Sequence, residues 1–165
     1  MENDAPRLYA LVRADLASMN AGKAIAQGMH AANALEDAIR RLAGKSERDD
    51  VEPPFPATPA QIARKETILA EFGAWKRQTR QGFGTTITLG VVIQDGKTAP
   101  LGIDVIRSTI EAARNAGFPA EVIHDPTYPL VDGSVLHLIP LDTCAYAFGT
   151  EEALRPLLAR FGLHP

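Results

Sequence analysis

Apolar positions along this chain fall into two rhythms: short unbroken runs, and longer stretches that repeat at helical spacing. Residues 8–12 (Leu8, Tyr9, Ala10, Leu11, Val12) lie between Arg7 and Arg13 and are too few for a helix, so they predict a buried first strand. After Asn20, the residues Ala24, Ile25, Gly28, Ala32, Leu35, Ile39 and Leu42 recur on one side of a helical repeat that ends near Gly44. Small Ala and Gly residues early in that helix let its backbone approach a sheet closely. Thr58-Pro59-Ala60-Gln61 supplies a capping threonine, a proline at the first helical position and a glutamine three residues after the cap. It opens a second helix carrying Ile62, Leu69, Phe72 and Trp75.

The β-branched stretch 86–93 predicts a second strand ending at the turn pair Asp95-Gly96. Pro100 opens a third helix whose Ile103, Ile106, Ile110 and Ala113 share a face, and Gly117 with Pro119 ends it. Residues 120–124 read as a third strand and 144–148 as a fourth, followed by a helix capped by Thr150 that Pro156 would kink. Between these strands, 134–139 is apolar enough for an additional strand or a hairpin arm. Helical crossovers between strands predict an α/β three-layer sandwich, a small mixed β-sheet of about four strands covered by helices on both faces. No internal repeat is detected, and the pattern predicts one domain over 1–165. Its charged and then proline-rich stretch at about 44–58 reads as an exposed loop.

Composition narrows the function classes. With 165 residues, 45% of them apolar, the chain is long enough to bury a core and unlike a disordered segment. A net charge of -3 supplies no overall field for nucleic acid, so an RNA site would be a local patch. Such a patch would draw on the first 80 residues, which hold 12 basic side chains against 5 in the rest. Arg40, Arg41, Lys45 and Arg48 could contact phosphates, but they alternate with Glu47, Asp49 and Asp50 and read first as a solvated surface. The single Cys144 sits in an apolar strand and predicts an inert buried thiol, and four scattered histidines give no ligand pairs at zinc spacing. The expectation is a reduced cytoplasmic protein with no metal and no cofactor. The acidic start and the lack of any apolar run reaching ~18 residues argue against secretion and membrane insertion.

Candidate chemistry gathers in two places. The passage 13–23 runs from the first strand into the first helix, where free N–H groups and the helix dipole favour an anion and Lys23 adds a full charge. Gly22-Lys23 fails as a phosphate loop, because Ala17 and Ala24 stand where that loop needs a glycine and a hydroxyl. Lys23, Gln27 and His30 fall at i, i+4 and i+7 on the polar side of the helix and can share one environment. Taken alone, Lys23 and Gln27 read first as an ordinary solvated face, and His30 reads as a hydrogen-bonded structural histidine before a catalytic one. The second place is 124–129, at the end of the third strand, where Asp125 is either an acid for catalysis or a turn-capping residue before Pro126. His124 and Asp125 are adjacent on a strand, so their side chains should face opposite ways. No nucleophile-elbow motif surrounds any serine.

The stretch Arg13-Ala14-Asp15-Leu16, Met19, Gly22-Lys23-Ala24-Ile25-Ala26-Gln27, His30-Ala31 resembles the opening motif of the archaeal and eukaryotic type of peptidyl-tRNA hydrolase. Trp75, the third helix, Val122-Ile123-His124-Asp125 and a final strand plus helix follow in similar order, so the likeness runs over roughly 7–163. It implies a compact α/β fold that hydrolyses the ester between a peptide and the 3′ end of tRNA, with peptidyl-tRNA as partner; no membrane partner is expected, and a homodimer is left open. By resemblance Lys23, Asp125 and Thr143 are the functional lysine, aspartate and threonine, while Arg13, Asp15, Gln27 and His30 shape or line the site. This chain departs from the pattern in one extra residue between Asp15 and Gly22-Lys23 and in Gly90 where a lysine often stands. It also departs in Pro126-Thr127-Tyr128-Pro129 after Asp125, within an insertion at about 126–142, where Thr127 would replace a lost hydroxyl.

In the mechanism that follows, Asp125 orients or deprotonates water or fixes the Lys23 ammonium, and Lys23 stabilises an oxyanion or a terminal phosphate. Thr143 hydrogen-bonds substrate or water, and Arg13 with its basic neighbours holds tRNA phosphates. The rivals are a non-catalytic tRNA- or protein-binding module of the same fold, and a small-molecule esterase.

Overall fold

In the computed structural model, which describes residues 4–45, 55–91 and 102–164, β1 (Pro6–Arg13) lies at the centre of the sheet with helices above and below it. Its unbroken apolar run follows from that position. Leu8 and Ala10 pack to one side, Tyr9 and Leu11 to the other, because successive side chains on a strand alternate faces. The elements that follow are α1 (Ala21–Leu42), α2 (Pro59–Ala63), α3 (Lys65–Lys76) and β2 (Thr86–Val91). After them come α4 (Gly102–Asn115), β3 (Ala120–Asp132), β4 (Val135–Thr150), α5 (Glu151–Leu158) and β5 (Gly162–Leu163). The sheet order is β3-β4-β1-β2-β5, with β1 and β2 parallel and the other pairs antiparallel. The parallel pair needs a crossover, and α1 to α3 supply it on one face.

That face is closed by α1 and α3 over Leu8, Ala10, Tyr146 and Phe148, with Leu35, Ile39, Ile68 and Trp75 meeting them. The other is closed by α4 and α5, whose Ile103, Ile106, Ile110, Leu154 and Leu158 pack on Tyr9, Leu11, Ala145 and Ala147. The result is a three-layer α/β sandwich on a mixed sheet, with five strands where about four were expected, the additional one being the short β5.

Two local expectations are corrected, and one that left two readings open is decided. The second helix is two, α2 and α3, broken at Arg64 (φ -97, ψ 7), although the capping box between Thr58 and Gln61 is present as read. Ile62, expected on the buried face of the second helix, is exposed. Of the two readings of 134–139, the hairpin arm is the one observed: 135–139 is the outer part of β4, paired with a lengthened β3 across a turn at Gly133 (φ 59). The prolines that made 126–129 read as a loop are tolerated because β3 is an edge strand, where a missing N–H need not break a ladder. Expectations placed on Val92, Ile93, the Asp95-Gly96 turn, Pro100 and the loop residues 46–54 lie outside the described residues. No helix among the described residues is long and apolar enough to cross a membrane.

Glu121, near the start of β3, is buried and receives a hydrogen bond from Arg41 at 3.1 Å. Burial pushes its carboxyl up to about 7 from an ordinary 4.5, against the pull of Arg41 and Arg114. The folded chain therefore keeps a proton between those values that the unfolded chain has released, so this contribution to stability is present below pH 4.5 and lost as the pH rises through 7. Urea unfolding at pH 5 and pH 8 should show wild type losing on the order of 3 kcal/mol more than Glu121→Gln over that interval.

Candidate functional site

The site is built where α1 crosses β3 and β4, and two irregularities in that strand pair create it. Ile123 pairs with Cys144 but His124 pairs with Asp142, which leaves Thr143 as an extra residue on β4. Asp125 pairs with Leu141 but Tyr128 with Ile139, which leaves an extra residue on β3 at 126–127. A bulge re-aims side chains. Here the first lets Thr143 and Cys144, adjacent on the strand, both turn toward Gln27 of α1.

Gln27 is 3% exposed, and Thr143 is 0% exposed. The Thr143 hydroxyl donates to Gln27 Oε1 at 2.5 Å, and Gln27 Nε2 donates to Asp125 Oδ2 at 3.1 Å. Asp125 Oδ1 also accepts from the Thr127 backbone N–H at 2.9 Å and its hydroxyl at 3.4 Å. An ionised carboxylate offers about four acceptor positions, so Asp125 keeps room on Oδ2 for one more donor, such as a water. The Asp125 side chain is partly exposed, so that position can be reached from solvent.

Lys23 sits one turn before Gln27. Asn20 caps this end of α1, accepting from the Lys23 backbone N–H at 3.0 Å. The Lys23 ammonium donates to the Pro129 carbonyl at 2.6 Å and lies 4.6 Å from the centre of the Tyr128 ring. Tyr128 is itself buried and shares a hydrogen bond with Ser18 at 2.9 Å. An ammonium has three donors, so two remain after Pro129. Tyr128 and Pro129 were not singled out in the sequence as site residues, because nothing in a Pro-Thr-Tyr-Pro run says that a hairpin will fold it over a helix entrance.

Several expected roles are corrected by these contacts. The Lys23 ammonium goes to Pro129 rather than to Asp125, so Asp125 does not hold it. Thr143 donates inward to Gln27 and has no exposed surface to offer substrate or water. Gln27 does not belong to the polar side of α1. The helix is turned so that Gln27 faces the sheet and Ile25 is 67% exposed, because Asp125 and Thr143 satisfy the buried amide. Exposed His30 takes no part in these contacts.

Arg13, at the end of β1, is buried, and it donates to Asp15 through Nε at 3.2 Å and Nη2 at 2.7 Å and to the Asp142 carbonyl at 3.4 Å. That leaves it holding the strand beside Thr143, not gripping a phosphate. The Asp15 carboxylate packs so closely on Gly102, the first residue of α4, that a Cβ there would meet Asp15 Oδ1 at 2.4 Å. It thereby places a negative charge at a helix N-terminus.

On the other face, His124 Nδ1 lies 2.9 Å from Asp142 Oδ1, and Arg107 donates to Asp142 Oδ2 at 2.5 Å. His124 and Asp125 thus point to opposite faces. Burial alone would raise the Asp142 carboxyl, but the hydrogen bonds and charges of His124 and Arg107 outweigh it and hold it below its ordinary value. Burial pushes the Cys144 thiol up to about 12, which leaves it un-ionised and a poor nucleophile near neutrality.

No family model matches the sequence, and no curated protein matches it.

Gln27→Leu removes the acceptor of a fully buried hydroxyl and should destabilise the fold by about 2 kcal/mol in urea unfolding. Adding Thr143→Val to it should cost less than the two single effects together, because the hydroxyl that lost its partner is gone.

Proposed function

We propose that the chain hydrolyses the ester linking a peptide to the 3′ end of tRNA. The observation that carries this reading is the convergence of α1, β3 and β4: a carboxylate with one open acceptor position, fixed by the buried amide of Gln27, and, on Lys23 one helical turn before that amide, an ammonium with two donors left after Pro129. An ester is already activated relative to an amide, so water suffices as nucleophile.

Asp125 takes a proton from a water held on Oδ2 as its oxygen attacks the ester carbonyl carbon. The carbonyl oxygen becomes an oxyanion, which Lys23 stabilises with a donor not given to Pro129. As the tetrahedral intermediate collapses, the bond to the ribose oxygen breaks. The proton held by Asp125 passes to that oxygen, leaving a free peptide acid and tRNA with its terminal hydroxyl restored. Gln27 keeps Asp125 oriented, and Thr143 keeps Gln27 oriented. Both are positioning residues.

One observation favours a binding module instead: Lys23 is drawn onto Pro129 and Tyr128, and a hydrolase must release it toward the substrate.

Incubation with N-acetyl-aminoacyl-tRNA, following release of the acid, tests the reading. Wild type should turn over. Asp125→Asn should lower kcat/KM by about 10²–10⁴-fold and Lys23→Ala by about 10²–10³-fold, with circular dichroism unchanged. Wild-type binding of the tRNA without release of the acid would replace the hydrolase by the binding module. Wild-type rates in both variants would remove the roles given to Asp125 and Lys23.

A further inference from the structure

Three turns further along α1, on the same face of the sheet, a cavity of about 350 Å³ lies between the helix end, α2 and α3, and the start of β3. Its volume falls in the range of small-molecule pockets. Ile39, Leu42, Phe55 and Ile68 give it apolar walls, while Glu121 and Tyr146 form a polar corner. The wall at Phe55 is fixed to the body of the fold. Arg114 lies 5.4 Å from the Phe55 ring centre and donates to the carbonyls of Pro56 at 2.7 Å and Ala120 at 3.0 Å.

The polar groups around this space are satisfied, with one conspicuous exception. Gln61 donates to the Phe118 carbonyl at 2.6 Å and accepts from the Thr58 N–H at 2.9 Å. Arg41 spans Asp37 and Glu121. Tyr146 is fully buried, yet its hydroxyl has no hydrogen-bond partner. Buried polar groups in native proteins are almost always paired, so an unpaired hydroxyl on the wall of an apolar cavity marks a place for an acceptor.

Charge selects what can bring that acceptor. The Arg41 guanidinium is already matched by Asp37 and Glu121, so a ligand cation would meet Arg41 and a ligand anion would meet the Glu121 carboxyl. Lys65 lies at the partly exposed rim, where solvent screens it. We propose that this cavity binds a small uncharged ring compound bearing one oxygen acceptor, seated with that oxygen on the Tyr146 hydroxyl and its ring against Ile39, Leu42, Phe55 and Ile68. This site is separate from the one at Asp125. It shares no lining residue with it and does not depend on the hydrolase reading.

Titration of the full-length ¹⁵N-labelled chain at pH 7 with acetophenone, ethylbenzene and benzoate, followed by amide chemical shifts, tests the proposal. Acetophenone should give saturable shifts at Ile39, Leu42, Gln61 and Ile68. Ethylbenzene, similar in shape but without the oxygen, should bind about tenfold more weakly, the value of one well-made hydrogen bond. Tyr146→Phe should erase that preference while leaving ethylbenzene binding in place, and Ala38→Phe, which fills the space from the helix side, should remove the shifts from both. The comparison of the two neutral probes in wild type decides the matter even where Tyr146→Phe does not fold. Absence of saturable shifts, equal binding of ethylbenzene and acetophenone by wild type, or tighter binding of benzoate would each overturn the proposal.

Discussion

A primary amide buried between a helix and a sheet has to be given partners, and the arrangement around Gln27 follows from that requirement. Its Oε1 accepts from the Thr143 hydroxyl and lies 3.5 Å from the Cys144 sulfur, and its Nε2 donates to Asp125. Each contact fixes something beyond itself. The bond to Thr143 needs the bulge on β4, because without it Thr143 would point toward α4. The bond to Asp125 ties the edge strand to the helix. Together they set the rotation of α1, which brings Lys23 over the hairpin and sends Ile25 outward. An apolar residue in place of Gln27 would leave a hydroxyl buried without a partner.

This dependence explains which parts of the molecule were legible in the sequence. The apolar run of β1, the face of α4 formed by Ile103, Ile106 and Ile110, and the capping box at Thr58 and Gln61 are local signals that the structure repeats. Their physics is contained in a few neighbouring residues. The rotation of α1 is set by residues about a hundred positions away, so a periodicity that treats glutamine as polar and outward misplaces Gln27 and Ile25 together. The length of β3, the other arm of the hairpin, was hidden for a related reason. Pro126 and Pro129 signal a loop unless the strand is known to lie at an edge, and that is a property of the whole sheet.

The candidate site was legible in a different way. Helical spacing marks Lys23 and Gln27, the strand end marks Asp125, and resemblance alone adds Thr143; the last three form one hydrogen-bonded chain. Resemblance gives residue types and order but not which atoms are spent on one another. It is the bonding that makes Thr143 and Arg13 internal supports. Arg13 holds the Asp142 carbonyl from below while Arg107 and His124 hold the Asp142 carboxylate on the α4 side, so the residue before Thr143 is gripped at both backbone and side chain. A bulge held in this way has little freedom to relax when the helix moves.

Two carboxylates on β3, four residues apart, show how position on one strand separates structural from chemical use. Glu121 lies where helices cover the strand, its charge opposed by burial and matched by Arg41, and it takes up a proton near neutrality. Such a group couples the stability of the fold to pH but offers nothing to a substrate from solvent. Asp125 lies farther along β3, beside the N-terminal part of α1 and at the point where β3 bulges. It is held by Gln27 and Thr127 on one side and open on the other. A general base needs both properties: partners that fix its orientation, and a lone pair they do not use. Of the two, Asp125 alone has them. The bulge that creates its open side is also what lets Thr127 reach back to it, so orientation and access at this carboxylate come from one feature of the strand.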